Sequence, residues 1–179
     1  MGRVLAVTNR KGGTGKTMTS VSLGASLARQ GKKILIIDAD SQHSATVSLG
    51  FSELDKLAVN ALAAADSIII PIAPRFLDAK GMELLLESIA QTRRYINPSL
   101  AIGGILLTMV DKRANITKDI ITMIKQAYGE SISIFKEPIP HSVRAVETSA
   151  TGKSIFEYDP KGRIAAAYNS LAREVLESA

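Results

Sequence analysis

The chain has 179 residues, 46% hydrophobic and 22% charged, enough for one domain with a sound core, read here as spanning 1–179. It has no cysteine, so disulfides, thiolate metal sites, thiol nucleophiles and iron–sulfur ligation are excluded together. A net charge of +5 and a pI near 9.5 suit an anionic partner, whereas 4% aromatics and no tryptophan leave little for base stacking on single strands. His43 and His141 lie too far apart in sequence to read as a zinc pair.

Strands and helices alternate along the chain. Short, β-branched, continuously apolar runs predict strands at Val4–Thr8, Lys33–Asp38, Ser67–Ile72, Ile102–Met109 and Ser131–Phe135. Helices are predicted at Lys16–Gln30, Lys56–Ala64, Ala79–Tyr95, Thr117–Tyr128, Ser142–Ser149 and Gly162–Glu177. Such alternation implies an α/β fold: a mostly parallel sheet flanked by helices, with the ligand crevice at the carboxyl ends of the strands. Thr8, Asp38, Pro71 and Thr108 all fall at those ends. In the last helix, Ile164, Tyr168, Leu171, Val175 and Leu176 form one stripe, and the opposite side mixes charges and lacks large apolar groups. That pattern predicts core packing rather than a membrane-surface helix. No apolar run approaches the length of a membrane span, and Met1 leads straight into a core strand, so a cytoplasmic protein without a membrane partner is expected.

The most specific motif follows the first strand. Lys11-Gly12-Gly13-Thr14-Gly15-Lys16-Thr17 places a glycine turn between a strand and a helix, which makes a phosphate cradle. Glycines let backbone N–H groups face inward, and the helix adds free donors and the positive end of its dipole. In such a loop Lys16 reaches the β- and γ-phosphates and the Thr17 hydroxyl ligates Mg²⁺. Arg10 stands where the standard pattern has its first glycine, and a second lysine, Lys11, opens the turn. Asp38 and Asp40, two apart at the end of an apolar strand, point to one side, with Ala39 pointing away. Asp66 is read as a cap on the turn into Ser67–Ile72. Asp111 fits either a surface turn or a place near the ligand, and Pro138 and Pro140 either shape their loop or border the base.

With these residues the chain resembles the deviant Walker A ATPases of the ParA/MinD/Soj type. The likeness extends to KKILIIDADSQ (32–42), VNALAAADSIIIPIAP (59–74), ILLTMVDK (105–112) and IPHSVRAVETSATGKSIFEYDPKG (139–162), the last closest to the partition branch. It implies a P-loop three-layer sandwich, ATP and Mg²⁺ as ligands, and slow ATP hydrolysis. By resemblance, residues 11–18 (Lys11, Gly12, Gly13, Thr14, Gly15, Lys16, Thr17 and Met18) hold the nucleotide, and Lys11 reaches the partner's phosphates in an ATP-closed homodimer. Asp40 matches the carboxylate that activates water, and Asp38 lies near the metal beside Thr17. Ser41 stands where the family has proline. The likeness further implies binding to DNA without sequence preference, through such residues as Arg93, Arg94, Lys112, Arg113, Lys118, Arg144 and Lys153. It also implies a ParB-like protein that marks the DNA and stimulates turnover.

One part of the family pattern has no counterpart. Roughly seventy residues, including a strand that ends in the Walker B aspartate supporting Mg²⁺, are missing at a junction near Leu57/Ala58. A gap in the sheet beside the phosphate-loop strand is therefore expected. The alternative function is a hydrolysis-defective nucleotide-binding or interaction module derived from this family by internal deletion.

Overall fold

A computed structural model describes residues 2–36, 61–75, 82–151 and 153–178. β1 (Leu5–Val7) leads through the glycine turn into α1 (Lys16–Arg29), and β2 (Ser67–Ile72) is followed by α2 (Met82–Tyr95). β3 (Ala101–Leu107) and α3 (Asn115–Tyr128) come next, then α4 (Val143–Thr151), α5 (Ile155–Tyr158) and α6 (Arg163–Glu177). The described strands form one parallel sheet in the order β1-β2-β3, with Ser67 opposite both Leu5 and Ala101.

Side chains of the central strand alternate between two cores, as a strand period of two requires. Ile68, Ile70 and Ile72 join Ile105, Leu107, Leu85, Ile89, Ile120 and Ile124, which places α2 and α3 on one face. Ile69 and Leu106 join Leu23, Leu27, Ile164, Tyr168, Leu171 and Val175, which places α1 and α6 on the other. All six residues of β2 are buried, which accounts for the unbroken apolar run from Ile68 to Ile72. The expected layered α/β arrangement is therefore present, and the α6 stripe packs into the core. Among the described residues, no helix is long and apolar enough to cross a membrane.

Two predicted strands differ. Residues 32–36, the described part of Lys33–Asp38, carry no strand, and Leu35 is 83% exposed. Ile34 and Ile36 instead lean against α1 at Gly24, where an added Cβ would come within 2.9 Å of Ile36 and 3.4 Å of Ile34. A strand persists only with a ladder neighbour. Among the described strands β1 pairs on one side, with β2, so this run has no neighbour there.

Ser131–Phe135 is reduced to an isolated parallel bridge between Ile105 and Ile134. The Phe135 N–H donates to the Ile105 carbonyl at 3.0 Å, and the next such bond is from Ile139 to Leu107 at 2.8 Å. Four residues on this side thus pass two on β3, and Pro138, within the excess, has no N–H to offer. The segment approaches β3 closely at Gly104, whose φ of 153° and lack of Cβ admit the Phe135 ring and the Ser133 carbonyl, each 3.0 Å from where that atom would stand.

Candidate functional site

The glycine turn lies at the carboxyl ends of all three described strands and is held by two of them. Thr8 continues the ladder by donating its N–H to Ile69 at 3.1 Å. Asn9, buried, then donates its side-chain amide to the Pro71 carbonyl at 2.7 Å and accepts the Lys11 N–H at 3.0 Å. From the other side the Thr108 hydroxyl, just past β3, donates to the Thr14 carbonyl at 2.8 Å. Thr14 is fully buried, and its hydroxyl donates back to the Lys11 carbonyl at 3.2 Å. The chain turns sharply after Thr108, because Met109 adopts φ 53°, a conformation uncommon for a residue with a side chain.

These ties shape a loop whose outer side is open. Gly13 and Gly15 have φ of 72° and 84°, and no atom lies within 4 Å of where a Cβ of Gly12 or Gly13 would stand. Gly15 is the N-cap of α1, so no side chain caps the helix, and no acidic residue occupies its first turn. The opening N–H groups and the positive end of the helix dipole therefore face an open concavity. Lys16 folds over the loop and donates its ammonium to the Lys11 carbonyl at 3.2 Å, while the Lys11 and Thr17 side chains are exposed. Backbone donors without a side-chain cap, two lysines and a free hydroxyl are a chemically coherent set for polyphosphate with a hard cation.

Of the residues expected at the site, 11–18 are brought together. Met18 turns partly inward and packs against the α1/α6 core. Asp38 and Asp40 lie outside the described residues. Asp66 lies at the opposite, amino edge of the sheet, where its carboxylate accepts the Val4 N–H at 2.7 Å and ties the start of β1 to β2 instead of capping its own turn. The Asp111 carboxylate accepts the Arg113 N–H at 3.0 Å and closes a turn. Arg93, expected as a surface charge for DNA, donates to the Leu100 carbonyl at 2.6 Å, and Arg144 pairs with Asp159 at 3.6 Å. Sequence reasoning missed Asn9. Its one signal is an amide directly after an apolar strand and before the glycine turn.

Below the loop, Thr19 of α1 meets the Tyr168 hydroxyl of α6 at 3.4 Å. Burial pushes the Tyr168 phenol up to about 12, and the bond to Thr19 opposes that rise.

Residues 5–155 match the family described as CbiA, the CobQ/CobB/MinD/ParA nucleotide binding domain. The sporulation initiation inhibitor protein Soj of Bacillus subtilis (strain 168) is 30% identical, with 98% of each chain covered. The chromosome partitioning protein ParA of Caulobacter vibrioides (strain NA1000 / CB15N) is 27% identical, over 97% of this chain and 94% of the relative. The match to Soj extends over 251 aligned positions, against 179 residues here, so in at least 72 of them (251 less 179) Soj has residues that this chain lacks. Among solved structures, cobyrinic acid a,c-diamide synthase from Mycobacterium smegmatis with a bound ATP analogue and magnesium superposes with a TM-score of 0.79. At 23% identity, over 99% of this chain and 95% of that one, the likeness establishes the shared fold. The chain belongs to the CobQ/CobB/MinD/ParA nucleotide-binding family, in which it is of the ParA/Soj type.

Proposed function

We propose that this chain is a cytoplasmic ATP-driven partition switch. The backbone N–H groups of residues 12–17 and the Lys16 ammonium would hold the phosphates, and the Thr17 hydroxyl would hold Mg²⁺, which would supply positive charge against the phosphate oxygens. The observation that carries this reading is the open glycine loop: Gly13 and Gly15 in left-handed conformations, an α1 without a side-chain cap, and Lys16 resting on a loop carbonyl it can exchange for phosphate. The exposed Lys11 side chain is then free to reach a second copy's phosphates and close a homodimer. That dimer binds DNA without sequence preference, a ParB-like protein stimulates turnover, and hydrolysis, with Asp40 activating water and Asp38 supporting the metal, releases the DNA.

One observation favours the second reading, a hydrolysis-defective binding module. The described sheet ends at β1, residues 32–36 carry no strand, and the alignment with Soj contains at least 72 positions (251 less 179) without a residue of this chain. This supports loss of the segment that carries the Walker B aspartate.

Calorimetric titration of Mg·ATP into the protein, with Lys16→Ala as the control, tests nucleotide binding. Phosphate release measured on the same sample then separates the two readings. Binding that the variant loses supports both, and turnover above the variant's background selects the switch. Absence of binding by the folded protein overturns the proposal.

A further inference from the structure

A cleft of about 330 Å³ lies between α3, the end of β3 and the 132–138 segment. Its floor is apolar: Leu107, Val110, Ile121, Ile134, Phe135 and Pro138. Its rim carries Lys112, Lys118, Lys125 and Lys136, and no carboxylate lines it among the described residues. Lys118, Ile121 and Lys125, spaced three and four apart, stand on one face of α3. The fourth lysine comes from the segment that leaves the β3 ladder at Phe135. All four lysines are exposed, and none of their ammonium groups is in an ion pair among the described residues.

This cleft is separate from the phosphate cradle. None of residues 10–18 lines it, and Leu107 belongs to the α2/α3 core while α1 packs on the opposite one. Phosphate backbone alone needs cations and no apolar floor. An uncharged apolar ligand leaves four like charges uncompensated around it. The combination selects a molecule with both features, and the volume is at the small end of ligand sites.

We infer that the cleft between α3 and the 132–138 segment is a second ligand site, for a small amphipathic organic anion: a carboxylate or phosphate ester on an apolar chain or ring of roughly eight carbons. The apolar part rests on Ile121, Ile134 and Phe135, and the anionic head lies among the lysines.

The test is a ¹H–¹⁵N NMR titration of the full chain with sodium octanoate, and in parallel with sodium phosphate. The expected result is saturable octanoate shifts at residues 118–125 and 132–136, with residues 11–17 unmoved and phosphate without effect in the cleft. Lys118→Glu/Lys125→Glu weakens octanoate about tenfold, the size expected when two partly exposed attractions become repulsions. Ile121→Trp fills the floor and abolishes the shifts with all four lysines in place. Unmoved amides elsewhere show that each variant is folded. The inference is overturned if octanoate does not saturate, if phosphate shifts the same amides as strongly, or if either folded variant binds like the parent.

Discussion

Thr108→Val isolates the tie that holds the glycine loop from β3. The 2.8 Å bond to the Thr14 carbonyl joins two residues that are 2% and 0% exposed, so a lost donor is not replaced by bulk water. Valine keeps the shape, including the methyl packed near Gly15, and removes the donor alone. Leaving the Thr14 carbonyl short of that bond is expected to cost about 1–3 kcal/mol. Thr108→Ser is the counterpart: it keeps the hydroxyl and deletes one buried methyl, for about 1 kcal/mol. The two variants therefore lose similar global stability by urea unfolding and differ at the loop. If the tie preorganises the cradle, Mg·ATP affinity falls about tenfold in the valine variant, equivalent to 1.4 kcal/mol, and stays within about twofold in the serine variant. Equal affinities in the two variants would refute the reasoning, whatever their stabilities.

Lys11→Ala is expected to leave Mg·ATP binding within about threefold of the parent, because Lys16 and the loop N–H groups hold the phosphates of their own chain, while abolishing ATP-driven dimerisation in size-exclusion chromatography. Equal loss of binding in Lys11→Ala and Lys16→Ala would contradict a role across the dimer. Tyr168 makes stability sensitive to alkali. Its folded pKa is raised to about 12 from 10.0, so the native state holds the proton more tightly. That contribution is complete below pH 10 and is lost as pH rises toward 12, by about 2–3 kcal/mol across the window. Urea unfolding at increasing pH should show the parent declining relative to Tyr168→Phe; parallel curves contradict this. Leu171 of α6, 0% exposed in the core that α1 and α6 share, should cost about 2–5 kcal/mol as Leu171→Ala, read as a lower urea midpoint with an unchanged slope.

What was legible in the sequence is what is decided locally or by full burial. Ser67–Ile72 is predicted at its observed bounds because a central strand covered on both faces runs apolar without alternation, here from Ile68 to Ile72. The glycine turn was legible because its chemistry is written in consecutive residues. Lys33–Ile36 reads equally well as a buried strand, but strand formation depends on a neighbour supplied from elsewhere in the chain. Ser131–Phe135 fails for a related reason: Pro138 and the residues around it break the register a few positions later. α5 went unpredicted because four residues are too few to nucleate a helix by themselves. It is held by burial of Ile155 and Phe156 and by the Glu157 carboxylate, which accepts the Ser154 N–H at 3.0 Å. Asn9 offers only its place between strand and turn as a signal; its bond to the Pro71 carbonyl exists only once β2 lies beside β1.

The position of these ties bears on which half of the proposed chemistry survives. The cradle is anchored by Asn9 to the Pro71 carbonyl of β2 and by Thr108 beyond β3 to the Thr14 carbonyl. Both anchors come from the β2 side of β1, where β2 and β3 pair in parallel. The strand that the resemblance implies, and that has no counterpart in this sequence, would stand on the other side, where β1 is the last described strand. None of the named loop ties crosses that edge, so the phosphate clamp can stand without it. In the proposed function, metal support and water activation fall to Asp38 and Asp40, which lie outside the described residues, and to a Walker B aspartate that has no counterpart in this sequence. The proposed binding and hydrolysis thus rest on different groups, the first on the loop and its two described anchors and the second on carboxylates outside them. On this reading a chain that binds Mg·ATP tightly and turns it over slowly or not at all is the natural consequence of losing one strand, and measuring both on a single preparation is more informative than either alone.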